Sequence, residues 1–444
     1  MLVVTVAKSG DYVLVIVPPL GYTSARLVGT GHFGGNRMDA KNSQGEVRCL
    51  ISRSALLHNV ALIRKIVGPN VKICAVVKAD AYGHDAGLVA DTLCNFSNGE
   101  VEPPVVDGLA VADVDEAAAL APADAPITVL RPVENAYLGA QRSRLELAAQ
   151  NGWILSLASA AAADDLNRIC LTRGLRASVQ IMLNTGLNRG GADAAEYPEL
   201  IQKILALPAL RLHGIATHFA ASDEPQNPFN SLQLTRFQNA LSQVPLTSRS
   251  SIPIRSAANS GGVFFHSESW LDMVRPGIAI YGIDPTGRPH LDRHLRPALR
   301  WTAPLIGIRA VPTGSTVGYG QTWIAPRPMR LGLVPVGYAD GYPRALSNCG
   351  HMIVHGQAAR ITGRVSMDLT VIDITQIPNA CVGDEVTIID NDPLSPASVY
   401  KIAELAETIP YEILCRIGRR VRRVAVDDFD MPSRDGHLAE SSKI

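Results

Sequence analysis

The sequence predicts an α/β protein in which a parallel (β/α)8 barrel, TIM-like, is followed by a mostly antiparallel β domain. Two observations predict this fold class. From residue 46 onward, short apolar runs alternate with longer amphipathic segments, and eight such runs occur before residue 288. After about residue 290 the apolar runs lie closer together and are separated by turn sequences such as VPTGS and GYADGYP. Eight strand–helix units are what a barrel requires, whereas closely spaced strands with turn signals are typical of antiparallel sheets.

Residues 1–45 do not follow this pattern and are predicted to form an N-terminal appendage with disordered parts. The apolar stretch YVLVIVPPLGY is about eleven residues long, whereas a membrane-spanning helix needs roughly 20. Asp11 and the lack of a basic segment ahead of the apolar stretch argue against a secretory signal. Residues 29–46 are rich in Gly and Asn, which is typical of a linker. We therefore expect a cytoplasmic protein.

Residues 46–288 contain the predicted barrel. Ahead of it, the strand 47–52 is predicted to pair with the C-terminal domain, and Ser54 is predicted to cap a helix over Ala55–Val67. Eight apolar runs then each predict one barrel strand, at residues 73–77, 106–112, 127–130, 153–158, 177–183, 212–217, 254–258 and 272–276. The segments between them, such as AAAADDLNRICLTRG, have the spacing of apolar residues that predicts helices.

Residues 289–444 are predicted to form the C-terminal β domain. The runs MRLGLVPVGYA, RITGRVSMDLTVIDI and DEVTIID predict strands of its antiparallel sheet. One helix, over about Ala397–Thr408, is predicted to interrupt these strands.

Composition excludes several classes of partner. The chain has 41 Lys and Arg and 41 Asp and Glu, so its formal net charge is zero. This balance argues against nucleic acid or an anionic membrane surface as a partner. The seven cysteines are scattered and lack Cys-x-x-Cys spacing. That pattern favours a reducing compartment and predicts no metal site.

Polar side chains follow the predicted barrel strands at their carboxyl ends, where the active sites of such barrels lie. They are Lys78 after the first strand, Arg189 after the fifth, His218 after the sixth, Asn259 and Ser260 after the seventh, and Arg275 to Gly277 after the eighth. Small residues in the last two loops allow backbone N–H groups to approach a phosphate closely. A Lys opposite a phosphate site predicts pyridoxal 5'-phosphate (PLP), with the Lys as the Schiff-base partner.

Ten motifs, in order, resemble those of the alanine racemase family, whose members are PLP enzymes of fold-type III. Together they span residues 46–425, and several are six or more residues long. The motifs are AVVKADAYGH, NTGLNRGG, GIATHFAASDE, AANSGG, DMVRPGIAIYG, VGYGQTW, GYADGYPR, GRVSMDLT, VGDEVTI and YEILCRIGRRV. The resemblance implies an isomerase that interconverts L-alanine and D-alanine and supplies D-alanine for peptidoglycan.

The resemblance also implies a role for individual residues. Lys78 and Tyr319 resemble the two catalytic bases, and Lys78 also resembles the residue that binds PLP covalently. Further positions match residues that bind the cofactor: Tyr82, Ser260, Gly277 and Ile278 at the phosphate, His218 and Arg189 at the ring and its phenolic oxygen, Arg275 at the pyridine nitrogen, and Asn259 beside Ser260. Positions that match substrate or entryway residues are Arg189, Tyr338, Met367 and Asp368.

Two bases on opposite faces suit racemisation, because a proton can leave the α-carbon on one side and return on the other. Each base must titrate near the working pH, so the pKa values of Lys78 and Tyr319 must both be lowered. Arg275 keeps its own proton and cannot readily protonate the pyridine nitrogen, which should limit side reactions. In the family, Tyr319 comes from the β domain of the partner subunit, so a homodimer with shared active sites is expected.

Four positions depart from the family pattern. Met182 stands where many relatives have a Lys that can be carbamylated and paired with Arg189, and Asn184 stands where Asp is usual. We expect an anion or a water near Asn184 to replace the carbamate. Asp80 replaces the usual Asn and has no explanation in the sequence. Arg419 stands where some members have a Tyr near the phosphate, so it either supplies charge there or forms a surface ion pair.

Alternative functions remain open at this point. An amino-acid racemase of broader specificity also fits Met182 and Asn184. A fold-type III decarboxylase would want an acidic residue where Arg275 stands. A PLP-binding regulator built on the barrel alone would not need the β domain that carries Tyr319. His84 is interpreted as a structural loop residue.

Overall fold

The computed structural model describes residues 2–8, 11–17, 45–96, 105–120, 123–133, 135–243 and 254–429. The chain divides into two compact units, residues 1–43 and residues 44–444. In the first unit, β1 (Leu2–Lys8) and β2 (Asp11–Val17) pair as a two-stranded antiparallel sheet that the sequence did not predict. Most of the predicted linker lies outside the described residues. In the described part of the chain, no helix has the length and apolar character needed to cross a bilayer.

The second unit contains a closed barrel of eight parallel strands, which confirms the predicted fold class. The bounds of the strands are β4 (Lys72–Val76), β5 (Gly108–Val111), β6 (Ile127–Val133), β7 (Ile154–Leu157), β8 (Ala177–Met182), β9 (Leu210–Ala216), β10 (Ile254–Ser256) and β11 (Met273–Val274). Around the barrel they follow one another in the order β10-β11-β4-β5-β6-β7-β8-β9. Most residues in the strand interiors are buried and apolar, as expected of a sheet covered on both faces.

Helices connect the barrel strands along the chain. Their bounds are Arg53–Val67, Ala86–Cys94, Val114–Leu120, Asn135–Gln150, Ala160–Arg173, Tyr197–Ala206, Phe229–Ser242 and Ser260–Phe265. The predicted cap of the first helix is wrong. Ser52, not Ser54, is the N-cap residue, and its Oγ accepts a hydrogen bond from Ala55 N at 3.1 Å. The helix begins at Arg53 because the preceding strand, β3 (Arg48–Ser52), ends directly before it.

The strand β3 lies in a six-stranded sheet ordered β18-β17-β20-β12-β3-β21. It pairs antiparallel with β12 and parallel with β21. The other strands after the barrel are β12 (Leu299–Pro304), β13 (Gly307–Val311), β14 (Thr316–Val317), β15 (Trp323–Ile324), β16 (Met329–Val334), β17 (His351–Val354), β18 (Gln357–Arg360), β19 (Thr370–Asp373), β20 (Glu385–Ile389) and β21 (Arg422–Val426). A three-stranded sheet, β13-β16-β19, and the hairpin β14-β15 complete this region.

Two details after the barrel differ from the sequence analysis. The predicted helix spans Val399–Leu405, and a second short helix, Pro410–Cys415, follows it. Pro410 at the first turn is a helix-start signal that the prediction did not use. The run RITGRVSMDLTVIDI does not form one strand: its first residue, Arg360, ends β18, residues 363–369 form a loop, and β19 begins at Thr370. This loop exposes Met367, which matters for the site below.

Candidate active site

A cavity of about 340 Å³ opens at the carboxyl ends of the barrel strands. Three of the predicted site residues line it together, namely Lys78, Arg189 and His218. Met182 and Asn184 line the same cavity, as does Arg131, which the sequence analysis did not identify. The cavity wall therefore carries one amine, one imidazole and two guanidinium groups.

An unusual backbone turn positions Lys78. Directly after Lys78, the four residues Ala79–Tyr82 all have φ between 52° and 54°, which is the left-handed region. Each non-glycine residue in this region costs roughly 1–2 kcal/mol, so the turn needs support. Glu116 gives part of it, since its two carboxylate oxygens accept hydrogen bonds from Ala79 N (2.9 Å) and Ala112 N (2.7 Å).

Asp80 and His84 support the same turn, which explains both residues. Aspartate is one of the few residue types that adopt the left-handed region readily, and Asp80 lies in that region. The Oδ1 of Asp80 also accepts a hydrogen bond from Ala86 N at 2.9 Å. His84 is buried, and its Nδ1 lies 3.1 Å from the carbonyl oxygen of Ala81 and 3.0 Å from that of Tyr82. Both contacts require a proton on Nδ1, because both partners are acceptors.

The electrostatics of the cavity favour neutral forms of Lys78 and His218. Burial and the nearby charge of Arg189 lower the pKa of the Lys78 amine. Burial, followed by the charges of Arg275, Arg189 and Lys78, lowers the pKa of His218 to about 3. At neutral pH His218 therefore presents an uncharged ring to the cavity.

Arg275 is buried near the cavity, and three hydrogen-bond acceptors hold its side chain in place. Its guanidinium donates to Ser256 Oγ, to the carbonyl oxygen of Thr217 at 2.5 Å and to that of Ala257 at 3.5 Å. Ser256 Oγ in turn donates to the carbonyl oxygen of Met273 at 2.8 Å. Burial lowers the pKa of Arg275 to about 10, so the group keeps its proton at neutral pH. The sequence analysis missed Ser256, which carries no motif signal of its own.

Ser260 and Gly277 form a small polar cradle after the last two strands. Ser260 Oγ accepts hydrogen bonds from the backbone N–H groups of Gly277 (3.0 Å) and Ala279 (3.3 Å). Asn259 caps the helix that begins at Ser260, since its Oδ1 accepts from Gly262 N at 3.1 Å. Ile278 follows Gly277 and is buried. Converging hydroxyl and N–H groups of this kind suit a phosphate.

Tyr82 completes the cradle. A Cβ atom at Gly277 would overlap the hydroxyl of Tyr82, so the two residues are in contact. The ring of Tyr82 packs against Tyr281 and Tyr411, with centroids 5.0 Å and 6.0 Å away. Neither of these tyrosines was predicted to belong to the site, although Tyr281 lies within the motif DMVRPGIAIYG and Tyr411 begins the motif YEILCRIGRRV.

The predicted residues of the C-terminal region do not line the Lys78 cavity. Tyr319 has 71% of its surface exposed, and Tyr338 and Met367 are also exposed. Asp368 pairs with Arg420 at 2.9 Å. Within one chain, the structure therefore does not bring Lys78 and Tyr319 to the same cavity.

The departures at Asn184 and Arg419 have distinct surroundings. Asn184 shapes its own loop, since its Nδ2 donates to Asn188 Oδ1 and to Asp193 Oδ1, both at 2.9 Å. Among the described residues, no hydrogen bond or ion pair joins Arg189 to a carboxylate. Arg419 is exposed and lines a second cavity of about 460 Å³ together with Asp80.

Two family models match the chain. The alanine racemase N-terminal domain matches residues 51–285, and the alanine racemase C-terminal domain matches residues 298–425. The chain belongs to the alanine racemase family. It is 37% identical to the alanine racemase of Halothermothrix orenii over 375 residues, which cover 84% of this chain and 95% of that protein.

Solved structures of alanine racemases share the fold. The enzyme from Streptomyces coelicolor A3(2) superposes with a TM-score of 0.77 at 32% identity, covering 88% of this chain and 100% of that one. The enzyme from Bartonella henselae, with covalently bound pyridoxal phosphate, gives a TM-score of 0.73 at 30% identity, with coverages of 86% and 99%. The family and the cofactor predicted from the sequence are confirmed.

Proposed function

We propose that this chain interconverts L-alanine and D-alanine with pyridoxal phosphate, using Lys78 and Tyr319 as the two bases. The observation that carries this proposal is the cavity at the end of the barrel, where Lys78 lies beside Arg189 and His218. D-alanine made in this way supplies peptidoglycan synthesis. We place this reaction in the cytoplasm, because the seven free cysteines suit a reducing compartment.

The residues at the site fit the cofactor at both ends. Tyr82, Ser260 and the N–H groups of Gly277 and Ile278 would hold the phosphate, with Asn259 fixing the start of the following helix. Lys78 would bind the aldehyde carbon covalently. When bound, the cofactor stabilises the negative charge that develops on the α-carbon as its proton leaves.

Lys78 would exchange a proton with the substrate, whereas Arg275 would keep its protons. Burial and the charge of Arg189 lower the pKa of Lys78, which favours the neutral amine, the form of its Nζ that can take a proton from the substrate α-carbon and return it. Arg275 keeps its protons at neutral pH, because its pKa stays at about 10 and its N–H groups donate to Ser256 Oγ and to the carbonyl oxygen of Thr217. A guanidinium beside the pyridine nitrogen would therefore not pass a proton to it.

The second base comes from a second copy of the chain. Tyr319 is exposed, and so are the large apolar residues Ile324, Tyr338, Met367 and Leu369 of the same region. Exposed apolar side chains on one region indicate an interaction surface. In a two-fold symmetric homodimer this surface can face the partner's barrel, and each cavity then receives one Tyr319 together with Tyr338, Met367 and Asp368.

Domain boundaries belong to the same proposal. Residues 1–45 form the appendage, residues 46–288 the PLP-binding barrel, and residues 289–444 the C-terminal β domain, which also receives the strand 47–52. The place of β3 between β12 and β21 supports the last assignment.

A racemase of broader specificity is the second candidate. Met182 and Asn184 line the cavity in place of the residues that hold the carbamate in many relatives. A racemase assay with a panel of L-amino acids separates the two candidates, because the narrow enzyme turns over alanine far faster than larger substrates.

The direct test combines two measurements on the purified holoenzyme. Chiral chromatography follows the interconversion of L- and D-alanine, and visible absorbance follows the bound cofactor. We expect Lys78→Ala to abolish both signals. Lys65→Ala, which removes an exposed lysine from the helix Arg53–Val67, is the matched control and should retain both. Racemisation by Lys78→Ala at the wild-type rate would contradict the proposal.

A further inference from the structure

The turn that carries Tyr319 has little support of its own. It lies between β14 and β15, which pair through only two residue pairs, Thr316 with Ile324 and Val317 with Trp323. These strands pack on a small cluster of Val317, Ala325, Met329 and Leu331 that is separate from the main core. Tyr319 itself is mostly exposed. A phenol that must reach a reacting atom accurately therefore needs another constraint.

Asn348 supplies contacts to this turn and to a second loop at once. Its Nδ2 donates to Thr322 Oγ1 at 3.1 Å, one residue beyond the Tyr319–Gln321 turn. Its Oδ1 accepts from Gly363 N at 2.7 Å, at the start of the loop that presents Met367 and Asp368. One amide side chain thus joins the two segments that carry the predicted base and the predicted substrate contacts.

The backbone of Asn348 is used as well. Its carbonyl oxygen accepts hydrogen bonds from Arg360 Nε (3.0 Å) and Nη2 (2.7 Å). The guanidinium of Arg360 lies over the ring of Trp323, 4.9 Å from its centroid. Asn348 has φ = 66°, a left-handed conformation that Asn adopts more readily than most residues. The neighbouring Ser347 Oγ accepts from Val365 N at 3.1 Å.

The two loops are also in direct backbone contact, so a shift in one moves the other. A Cβ atom at Gly318 would lie 3.1 Å from Arg364 N, and one at Gly363 would lie 2.7 Å from the carbonyl oxygen of Val317. Both glycines have positive φ, +72° and +80°. There is no spare space at this junction, and Asn348 bonds to both of its sides.

We propose that Asn348 is a positioning residue for racemisation, holding the Tyr319 turn in register with the 363–368 loop. The proposal rests on the proposed role of Tyr319 as a base. Asn348 acts through Thr322 and Gly363 and does not touch substrate or cofactor. A displacement of about 1 Å in a catalytic group can reduce the rate by about 100-fold, so loss of these bonds should appear mainly in kcat.

Two substitutions separate the bonds of Asn348. Thr322→Val removes the acceptor of the Asn348 Nδ2 bond and keeps the bond from Gly363 N, whereas Asn348→Gly keeps the positive φ and the carbonyl that Arg360 binds and loses both side-chain bonds. We expect kcat to fall about tenfold in the first and up to about 100-fold in the second, with unchanged cofactor absorbance. Thr322→Val keeps the test decisive if Asn348→Gly does not fold.

The matched control is Asn379→Ala, an exposed asparagine after the barrel with no hydrogen bond from its side chain in the described structure. It should retain wild-type kcat. Wild-type kcat in both Asn348→Gly and Thr322→Val would overturn the positioning role.

A double-mutant cycle with Tyr319→Phe distinguishes positioning from general support. If Asn348 acts through Tyr319, adding Asn348→Gly to Tyr319→Phe should cost little further activity. An equally large further loss in that background would overturn the proposal. If Tyr319→Phe alone kept full activity, the proposed function of Tyr319 would fail, and this outcome is read from the single variant independently of Asn348.

Discussion

The hydroxyl of Tyr82 lies against the α-carbon of Gly277, across the cradle that Ser260 forms with the backbone after the last barrel strand. The left-handed turn that follows Lys78 is what brings Tyr82 to this place. The amine that would bind the cofactor and the hydroxyl that would bind its phosphate therefore belong to one rigid turn.

Gly277→Ala should weaken binding of pyridoxal phosphate. A methyl group would overlap the Tyr82 hydroxyl, and overpacking of a buried site typically costs about 1–3 kcal/mol. We expect the dissociation constant of the cofactor to rise by about 10- to 100-fold, measured by titrating the apoenzyme and following absorbance. Gly307→Ala is the control, because a Cβ there meets Leu333 at an ordinary 3.7 Å. Wild-type affinity in Gly277→Ala would show that Tyr82 can move away without loss.

Ser256→Ala should reduce activity through Arg275. The substitution leaves a buried guanidinium N–H without its acceptor, and an unsatisfied buried donor costs about 1–3 kcal/mol. We expect kcat to fall about tenfold and the absorbance spectrum of the bound cofactor to change, because Arg275 would shift. Ser156→Ala is the matched control in the barrel interior. Ser156 bonds to Gln180 and to the carbonyl oxygen of Val129, not to Arg275. Equal effects of both variants on kcat would indicate a general loss of stability.

Acid should destabilise the protein partly through His84. Burial lowers the pKa of His84 from 6.5 to about 4, so the folded state holds it neutral while the unfolded state takes up a proton below pH 6.5. The stability is fully present above pH 6.5 and is lost as the pH falls toward 4, by about 2 kcal/mol at pH 5. Urea unfolding at pH 7 and pH 5 measures this loss. His84→Asn, which cannot take up a proton, should show a smaller difference; an unchanged difference would assign the effect to other groups.

The barrel could be predicted from the sequence because each of the eight apolar runs corresponds to one strand. Lys78 could be predicted as a site residue because a polar residue at the end of an apolar run stands out in the pattern. It did not reveal the left-handed turn at Ala79–Tyr82. That conformation depends on acceptors and donors supplied by Glu116 and His84, and only the folded chain brings these groups to the turn. The cap at Ser52 was missed for a related reason, since two serines compete and the end of β3 decides between them.

The roles of Ser256 and Asn348 could not be predicted from the sequence either. Neither has a residue type that signals chemistry, and each acts through hydrogen bonds to residues distant along the chain. Asp80 has no explanation in the sequence, whereas in the folded chain its Oδ1 accepts a hydrogen bond from Ala86 N. Tyr319 was predicted from its motif, yet within one chain it does not line the cavity that holds Lys78.

We expect Arg189 to bind an anion in crystals grown with a halide. Its guanidinium has no carboxylate partner among the described residues, and Met182 cannot be carbamylated. Crystals grown with bromide should show an anomalous peak within hydrogen-bonding distance of Arg189. Met182→Lys with added bicarbonate is the comparison, since a carbamylated lysine should displace the ion. An apolar contact beside Arg189 in the wild-type map, with neither ion nor water, would contradict the expectation.

Mixed dimers test whether each active site is shared between subunits. A heterodimer of Lys78→Ala and Tyr319→Phe subunits has one site that lacks both bases and one that has both, because each cavity combines Lys78 of one chain with Tyr319 of the other. Random pairing of equal amounts makes half of the dimers mixed, so about a quarter of wild-type activity should return from two proteins that each have very low activity. Mixing Lys78→Ala with Lys78→Arg subunits is the control and should restore nothing. If verified heterodimers of the first pair stay inactive, Tyr319 does not serve the partner's cavity.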